Sequence, residues 1–575
     1  MTHKFIPPHL RKFIVEQNYD NYTPIDHAVW RFIMRISKSF FKKNAHKSYL
    51  LGLEKTGITI DQIPCVKEMD LRLSKFGWGA VCVRGFIPPA AFMELQSRGI
   101  LAIAADMRTL NHLTYTPAPD IVHEAAGHAP IISDPDYSRY LHHYGEVSSK
   151  AISSNDDYNL YLAIRKLSDI KEAPSSSEVD IKEAEYNLEK AVKKFNYISE
   201  AAFLARMNWW TVEYGLVGSL DNPKIYGAGL LSSVGESQNC LSDKVKKIPF
   251  SLDCIYTSYD ITEPQPQLFV TPNFEYLSVV LEQMASTMAF RLGGRKGLEK
   301  AKEASTVCTV ELDSKIQISG IIDNFMLDKF KNPSFLQYKG PTQISRYGNE
   351  LDNHGGDYHF EGYGTPVGNI KSLYKPICDF NDSDIERLKL GLDENVKIEF
   401  ESGVIVKGIV KKILKSNGRI LIISFIDCTV KVDDKILFQP NWGTFDMVCG
   451  SKIISVYGGP ADYNKYEEFL KNEDFIQNDI VYKSKLSDMN LELNQLYSDI
   501  REMRENKIPL NPVRLENIYN ILNTQHSSDW LLLLEILELV KDDFSWSKSV
   551  RTHLNKLVSK KNDLAIVIKR GLELV

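Results

Sequence analysis

Apolar residues recur at intervals of three and four positions through most of residues 20–300, a period typical of amphipathic helices. We therefore expect one mainly helical domain over residues 1–300, with helices around 24–42, 89–104, 119–129, 137–150, 180–218 and 274–292. Within it, residues 148–194 contain two polar tracts rich in Ser and Asn or Pro, which bracket short amphipathic segments. This composition indicates a surface insertion.

The pattern changes after residue 300. Residues 309–322 alternate like a strand and residues 340–368 are dense in Gly, Asn, Asp and Tyr, so 301–384 is predicted to be a connecting region with some strands. Short strand-like runs separated by turn residues predict a small β-rich barrel or sandwich over 385–460. Helical periodicity returns over 461–575, where a stripe from Leu486 to Met503 indicates core or partner packing and could support a homo-oligomer. The fold class is thus multidomain α+β.

Composition and charge narrow the class of protein. The 575 residues include 69 Lys and Arg against 74 Asp and Glu, a net charge of −5, so no basic field favours nucleic-acid binding. The N-terminus lacks an apolar signal segment, and the apolar run Trp530–Val540 is too short to span a membrane. Eight cysteines without a CxxC pair indicate reduced thiols. We expect a cytoplasmic protein with no membrane partner.

The candidate chemistry begins with a pair of histidines. His123 and His128 lie in HEAAGH, and two imidazoles on one element commonly start a metal site. Zinc proteases use histidines four apart, about 40° around an ideal helix, whereas a spacing of five gives about 140°. A protease site would therefore need a break near Gly127. Glu213, among aromatic residues in NWWTVEYGL, is the candidate carboxylate for a mononuclear iron site, because a buried carboxylate needs a cationic partner.

Several blocks together resemble a known family. In order they are RGFIPPAAFMELQSRGIL, MRTLNHLTYTPAPDIVHEAAGHAPIISDPDYSRY, WWTVEYGL and KIYGAGLLSSVGESQNCLS, with a weaker YDITEPQPQLFV after them. Over roughly residues 15–290 the sequence is similar to the tetrahydropterin-dependent aromatic amino acid hydroxylases, whose catalytic domain is mainly helical. Residues 300–575 do not resemble the family's short tetramerisation tail. We also expect no N-terminal regulatory domain of the animal type, because the resemblance begins near residue 15.

The resemblance implies a specific site. It implies that His123, His128 and Glu213 are the catalytic ligands of Fe(II), and that Glu124 faces a tetrahydropterin (tetrahydrobiopterin or a related pterin). The pterin wall would be Gly85, Ile87 and Phe92. The amino-acid pocket would comprise Arg108, which clamps the substrate carboxylate, with Thr116, Pro117, Trp209, Gly229 and Ser232. Asp120 and Glu236 match supporting acids.

The resemblance also implies an activity. The expected function is a monooxygenase that uses Fe(II), a tetrahydropterin and O2 to hydroxylate the ring of a free aromatic amino acid, with phenylalanine to tyrosine favoured. Tyr115 and the apolar Ile261 argue against tyrosine as the substrate. The alternatives are a tryptophan hydroxylase and a non-catalytic sensor of amino acid or pterin that acts through its C-terminal half.

Some positions depart from the family pattern. Ala118 stands where the family has an acid, Ala125 and Ala126 replace bulkier apolar residues, and Asn208 replaces an aromatic residue. The long interval between His128 and Glu213 is explained if the insertion loops out.

A second histidine cluster lies outside the matched region. His354 and His359, with Asp357 and Glu361, could form another metal site, but the polar, Gly-rich composition favours a linker.

Overall fold

The computed structural model describes residues 6–113, 119–172, 176–194, 197–261, 263–469, 488–541, 543–559 and 563–575. Among these residues, helices dominate up to residue 304, two β-sheets fill most of residues 307–458, and helices return up to the C-terminus. Short 3-10 helices connect several elements, at Tyr19–Asn21, Ser74–Phe76, Leu110–His112, Leu252–Tyr256, Ile377–Asp379 and Pro440–Trp442.

The N-terminal half, up to residue 304, is built around one largely buried helix. α2 begins with Thr23 and Asp26 in a capping box and with Pro24 at its first position, an arrangement that favours a sharp helix start. The helices of this half are α1 Pro8–Arg11, α2 Pro24–Asn44, α3 Ser48–Thr56, α4 Val66–Leu73, α5 Pro89–Ser97, α6 Ala129–Ile132, α7 Pro135–Ser148, α8 Asn155–Glu172, α9 Glu178–Lys193, α10 Glu200–Asn208, α11 Ala228–Ser232, α12 Glu236–Asn239, α13 Phe274–Ala285, α14 Ala289–Leu292 and α15 Gly294–Ala304.

Two π-helical turns and two small sheets complete this half. The π-helical turns are π1, Val122–His128, and π2, Trp209–Glu213. One sheet pairs β1 Gly79–Val83 in parallel with β2 Ile100–Ala104. The other has the order β4-β3-β6-β5, formed by β3 Leu216–Gly218, β4 Pro223–Ile225, β5 Lys246–Pro249 and β6 Gln267–Thr271.

The helix prediction was wrong at two places. The apolar residues 100–104 form β2 instead of extending α5, and the run predicted as helical over 180–218 divides into α9, α10, π2 and β3. Short, continuous apolar runs do not distinguish a buried strand from a buried helix, because both faces of the element are covered. Both strands of the β1–β2 pair are fully buried.

The predicted insertion contains a helical pair. α8 and α9 contact each other along their length, and the side chains of α9 are largely exposed. The hydroxyl of Tyr161 in α8 donates to the carbonyl of Phe86 at 3.2 Å. The pair is therefore attached to the loop that follows β1.

The strands after residue 304 form two sheets whose members are interleaved in sequence. The first sheet has the order β10-β9-β8-β7-β17, with β11 paired to β9; the second has the order β12-β13-β14-β15, with β16 paired to β14. The strands are β7 Val307–Leu312, β8 Ile316–Leu327, β9 Pro333–Arg346, β10 Asn349–Glu350, β11 Gly362–Pro366, β12 Asn395–Glu399, β13 Ile405–Ser416, β14 Arg419–Val432, β15 Lys435–Phe438, β16 Phe445–Val448 and β17 Ile453–Gly458; α16 is Asp382–Arg387.

This arrangement differs from the expected division at residue 384. Residues 307–366 are not mainly a connector, because they supply five strands of the first sheet, and β17 returns from beyond the second sheet to pair with β7. Sequence periodicity indicated a strand over 309–322, which the structure divides into β7 and β8, but it could not show that β17 pairs with β7 about 145 residues back along the chain.

The C-terminal helices share a hydrophobic core with the N-terminal half. They are α17 Tyr463–Phe469, α18 Asp488–Arg504, α19 Pro512–Gln525, α20 Trp530–Val540, α21 Ser547–Val558 and α22 Asp563–Leu572. Ile500 and Met503 of the predicted stripe are buried there, while Leu486 lies outside the described residues. The Arg31 side chain of α2 pairs with Glu535 of α20, at 2.9 and 2.8 Å. The stripe therefore serves core packing within the chain.

All eight cysteines lie in the described part of the chain, and each is unpaired. Among the described residues, no helix combines the length and the apolar character needed to cross a bilayer.

Candidate functional site

The two histidines of the HEAAGH motif lie on a π-helical turn. In π1 the amide of Ala129 donates to the carbonyl of Glu124, five residues earlier. Hydrogen bonds between residues five apart bring side chains at that spacing onto one face. His123 and His128 therefore converge, with their Nε2 atoms 3.2 Å apart. In an α-helix, a break near Gly127 would be needed to bring the two histidines together; the π-helical turn π1 provides that change in geometry.

A second π-helical turn carries the acidic residue. In π2 the amide of Tyr214 donates to the carbonyl of Trp209, again across five residues. The Thr211 hydroxyl donates to the carbonyl of Met207 at 2.6 Å and lies 2.9 Å from the hydroxyl of Tyr140 in α7. This turn directs Glu213 toward the two histidines.

The three side chains form a compact triangle. Nε2 of His123 lies 3.3 Å from Oε2 of Glu213, and Nε2 of His128 lies 3.4 Å from its Oε1. Metal–ligand bonds of about 2.1 Å place neighbouring ligand atoms roughly 3.0–3.4 Å apart at octahedral or tetrahedral angles. The spacing fits one divalent ion, and three protein ligands on one face leave the opposite positions open.

A hydroxyl fixes the tautomer of His123. Ser232 Oγ donates to the carbonyl of Ala228 at 2.8 Å, so its lone pair is available to accept from Nδ1 of His123 at 3.0 Å. With the proton on Nδ1, the Nε2 lone pair points into the triangle, as a metal ligand requires.

Two carboxyl groups in the site have opposite electrostatic character. Burial alone would raise the pKa of Glu213, but His128 and then His123 outweigh it and hold that pKa well below its usual range. Burial raises the pKa of Glu124 to about 8, although His128 opposes the shift. Oε2 of Glu124 is buried and has no hydrogen-bond partner among the described residues. It lies beside the triangle, 3.8 Å from Nε2 of His128.

Glycines allow the backbone segments of the site to approach closely. A Cβ on Gly227 would lie 2.4 Å from the carbonyl oxygen of Glu213, and one on Gly229 would lie 3.0 Å from the same atom. A Cβ on Gly127 would lie 2.7 Å from the carbonyl of Ala228. Gly229, predicted as a pocket residue, thus packs α11 against the segment that carries Glu213.

Asp120 holds the Arg108 guanidinium in place and leaves some of its N–H donors available. Its Nε and Nη2 donate to Asp120 at 2.7 and 2.8 Å, and its Nη1 donates to the carbonyl of Ser232 at 3.2 Å. A guanidinium has five N–H donors, so two remain in the described structure, one on each terminal nitrogen. Asp120 also accepts from the amide of His123 at 3.0 Å, which joins the arginine to the histidine turn.

Aromatic rings surround Glu213. The ring of Trp209, which was predicted to pack on a substrate ring, stacks on Tyr214 and Tyr259, at centroid distances of 4.5 and 4.4 Å. Its buried Nε1 has no hydrogen-bond partner among the described residues. Tyr214 donates to Glu236 at 2.7 Å, so that acid anchors the stack. Sequence reasoning missed Tyr259, although it begins the weak fifth block.

The predicted pterin wall lies on a separate apolar cluster. Ile87 and Phe92 are half-buried against the cluster that includes Val83 and Leu95. Gly85 adopts a φ of 55° where the chain leaves β1, a conformation that favours glycine. Thr116 and Pro117, predicted to line the amino-acid pocket, lie outside the described residues, as do Tyr115 and Ala118.

Comparison with known proteins identifies the family. The family model described as biopterin-dependent aromatic amino acid hydroxylase matches residues 16–164 and 197–317. The unmatched interval, 165–196, falls largely within the predicted insertion. The matched residues carry both π-helical turns and Arg108.

The similarity to named relatives covers most of each relative's length. Phenylalanine-4-hydroxylase of Mesorhizobium japonicum is 30% identical over 269 residues, which are 46% of this chain and 81% of the relative. That of Pseudomonas aeruginosa is 28% identical, over 51% of this chain and 98% of the relative. A Chromobacterium violaceum phenylalanine hydroxylase structure with bound iron(III) and 7,8-dihydrobiopterin is 25% identical, with a TM-score of 0.37, over 49% of this chain and 93% of that chain. The chain belongs to the biopterin-dependent aromatic amino acid hydroxylases and is an enzyme of that family.

Proposed function

We propose that the protein is a phenylalanine 4-monooxygenase that binds Fe(II) through His123, His128 and Glu213. The observation that carries the proposal is the triangle of two imidazole nitrogens and one carboxylate, 3.2–3.4 Å apart, with the tautomer of His123 set by Ser232. Imidazole and carboxylate ligands on one face of the ion are typical of non-haem Fe(II) oxygenases.

The residues also fit a reduced pterin beside the metal. The buried Oε2 of Glu124 has no hydrogen-bond partner among the described residues. It would accept a hydrogen bond from a polar heterocycle as a carboxylate, or donate one to it as a neutral acid. Gly85, Ile87 and Phe92 would supply the apolar wall, with Phe92 stacking on the ring system. When bound, iron and tetrahydropterin together supply the activation of O2.

The chain's own residues bind and orient the amino acid. Arg108 would receive the α-carboxylate on its two remaining N–H groups, while Asp120 keeps the guanidinium in place. Thr116, Pro117 and Ser232 would line the pocket, and the edge of Trp209 would contact the substrate ring. The aromatic stack around Trp209 excludes water from the reacting face.

Phenylalanine is proposed as substrate because the named relatives are phenylalanine hydroxylases and because Ile261 offers no acid to a phenol. The test is a substrate panel. The full chain is loaded anaerobically with Fe(II), mixed with a tetrahydropterin and with phenylalanine, tryptophan or tyrosine, and exposed to air. Mass analysis of the products should show tyrosine from phenylalanine at the highest kcat/KM.

The outcomes separate the alternatives. A higher kcat/KM for tryptophan would make the protein a tryptophan hydroxylase. Retained iron without ring hydroxylation of any amino acid would favour the sensor. Glu213→Gln is the matched control, because it keeps the size of the side chain, removes the anionic ligand and should abolish turnover.

A further inference from the structure

Two buried histidines lie far from the hydroxylase site, in the connection between β10 and β11. His354 and His359 are 4% and 8% exposed, and Nδ1 of His354 lies 3.2 Å from Nε2 of His359. The sequence favoured a polar linker here. The segment does connect β10 to β11, but it packs against β9 and buries both imidazoles.

The backbone fixes the position of both imidazoles. The carbonyl of His354 accepts from the amide of Ile344, and the carbonyl of His359 accepts from the amide of Thr342, both in β9. The ring of Tyr363 packs edge-on against His359 at a centroid distance of 4.9 Å. The pair is therefore presented by rigid structure.

A carboxylate from the second sheet completes the cluster. Asp446 in β16 is 4% exposed, and one ligand atom from each of His354, His359 and Asp446 lies within 4.8 Å of the others. Oδ1 of Asp446 accepts from Ser424, and the Tyr358 hydroxyl also interacts with this carboxylate. The buried Oδ2 nevertheless has no partner within hydrogen-bond geometry in the described part of the chain. An unpaired buried carboxylate oxygen is costly unless a cation or a donor satisfies it.

The acids that the sequence singled out do not contribute. Asp357 and Glu361 are exposed, and it is Asp446, about 90 residues further along, that meets the histidines. No pattern in the sequence could pair it with them, because β16 reaches the site only through the packing of β11 and β16, where the Tyr363 hydroxyl donates to the carbonyl of Asp446 at 2.6 Å.

We propose that His354, His359 and Asp446 bind a second metal ion, a zinc ion or a similar divalent transition metal, which joins the two sheets. Nδ1 of His354 and Nε2 of His359 face each other at 3.2 Å. Without a metal ion, at most one of these two nitrogens can carry a proton, which then forms a hydrogen bond to the other. The same separation is close to the roughly 3.4 Å expected between two ligands of a tetrahedral zinc ion. Two imidazoles and a carboxylate without thiolate suit zinc, and water completes the coordination beside the half-exposed Tyr358. The ion would link the two sheets, because the histidines come from the segment between β10 and β11 and Asp446 comes from β16.

The test measures metal content and does not depend on hydroxylase activity. The full chain is stripped with a chelator, reloaded with Zn²⁺ and desalted, and its metal is counted by mass spectrometry. To exclude zinc in the hydroxylase site, the experiment uses the His123→Ala/Glu213→Gln background. We expect one zinc per chain there, and none after the further change Asp446→Asn. The matched control, Asp357→Asn, alters an exposed acid in the same segment and should retain the zinc.

A second measurement covers the case in which Asp446→Asn fails to fold. Adding Zn²⁺ to the stripped His123→Ala/Glu213→Gln protein should raise its melting temperature by about 5 °C, and Co²⁺ in its place should give the visible absorption of a tetrahedral site. Less than 0.1 zinc per chain, with no thermal shift, would overturn the proposal and leave a hydrogen-bonded histidine pair. Equal zinc in the background and in its Asp446→Asn form would also overturn it.

Discussion

The buried ion pair between α2 and α20 tests how strongly the C-terminal helices stabilise the N-terminal half of the chain. Arg31 and Glu535 form a bidentate pair at 2.9 and 2.8 Å, with side chains 1% and 3% exposed. Replacing Glu535 by Leu leaves the Arg31 guanidinium buried, and among the described residues the carbonyl of Asp61, at 3.2 Å, is its one remaining hydrogen-bond acceptor. Breaking a buried pair from one side costs about 3–5 kcal/mol. We expect the free energy of unfolding to fall by that amount.

The double variant isolates the cause. Glu535 also lies 3.3 Å from Nε of Arg504, but Arg504 keeps Glu538 as a partner at 2.8 Å. Arg31→Met together with Glu535→Leu removes both charges of the bidentate pair, so most of the loss should be recovered, to within about 1 kcal/mol of the wild type. The control is Glu299→Leu, which breaks the exposed pair between Arg295 and Glu299 in α15 and should cost at most about 0.5 kcal/mol.

Urea denaturation followed by tryptophan fluorescence is a suitable assay, because buried Trp530 lies on α20 and packs against Phe32 of α2 at a centroid distance of 4.8 Å. A Glu535→Leu loss below about 1 kcal/mol would refute the reasoning. So would a double variant no more stable than the single one.

Three further predictions concern the site and the acid stability of the fold. Gly227→Ala forces a Cβ to within 2.4 Å of the carbonyl oxygen of Glu213 and should lower kcat/KM about 100-fold. The control Gly235→Ala has open space around its Cβ and should leave kcat/KM unchanged; the same kcat/KM for both variants would contradict this. Ser232→Ala removes the acceptor of the His123 Nδ1 proton and should weaken Fe(II) binding about 10–100-fold in an anaerobic titration, and unchanged affinity would argue against the tautomer assignment. Burial alone would raise the pKa of Glu535, but its arginine partners outweigh it and lower that pKa. Its stabilisation is therefore complete above the unfolded pKa of about 4.3 and is lost as the pH falls further. Denaturation curves at pH 7 and pH 3.5 should show a smaller difference in stability between wild type and Glu535→Leu at the lower pH, and a larger difference at pH 3.5 would contradict the sign.

The family and the enzyme class were predictable from the sequence, since they rest on ordered blocks that the family match and the named relatives confirm. The geometry of the histidine pair was not. Ideal helical angles place residues five apart on different faces, and only the structure shows the π-helical turn that brings His123 and His128 together. The residues' roles as iron ligands and pocket residues stay predictions.

The C-terminal half was predictable in its elements and not in its assembly. The strands of residues 395–458 match their predicted alternation closely. The pairing of β17 with β7 and the meeting of His354 with Asp446 depend on long-range packing that leaves no local pattern. Likewise, Arg31 and Glu535 are 504 residues apart, and nothing near either residue indicates the other.

The most direct test of the central claim is isotopic. The iron-loaded chain is given phenylalanine and a tetrahydropterin under ¹⁸O2, and the mass of the tyrosine formed is measured, with Glu213→Gln run in parallel. The account predicts tyrosine that carries one ¹⁸O atom from the wild type and none from the variant. Unlabelled tyrosine, or labelled tyrosine from the variant at the wild-type rate, would contradict it.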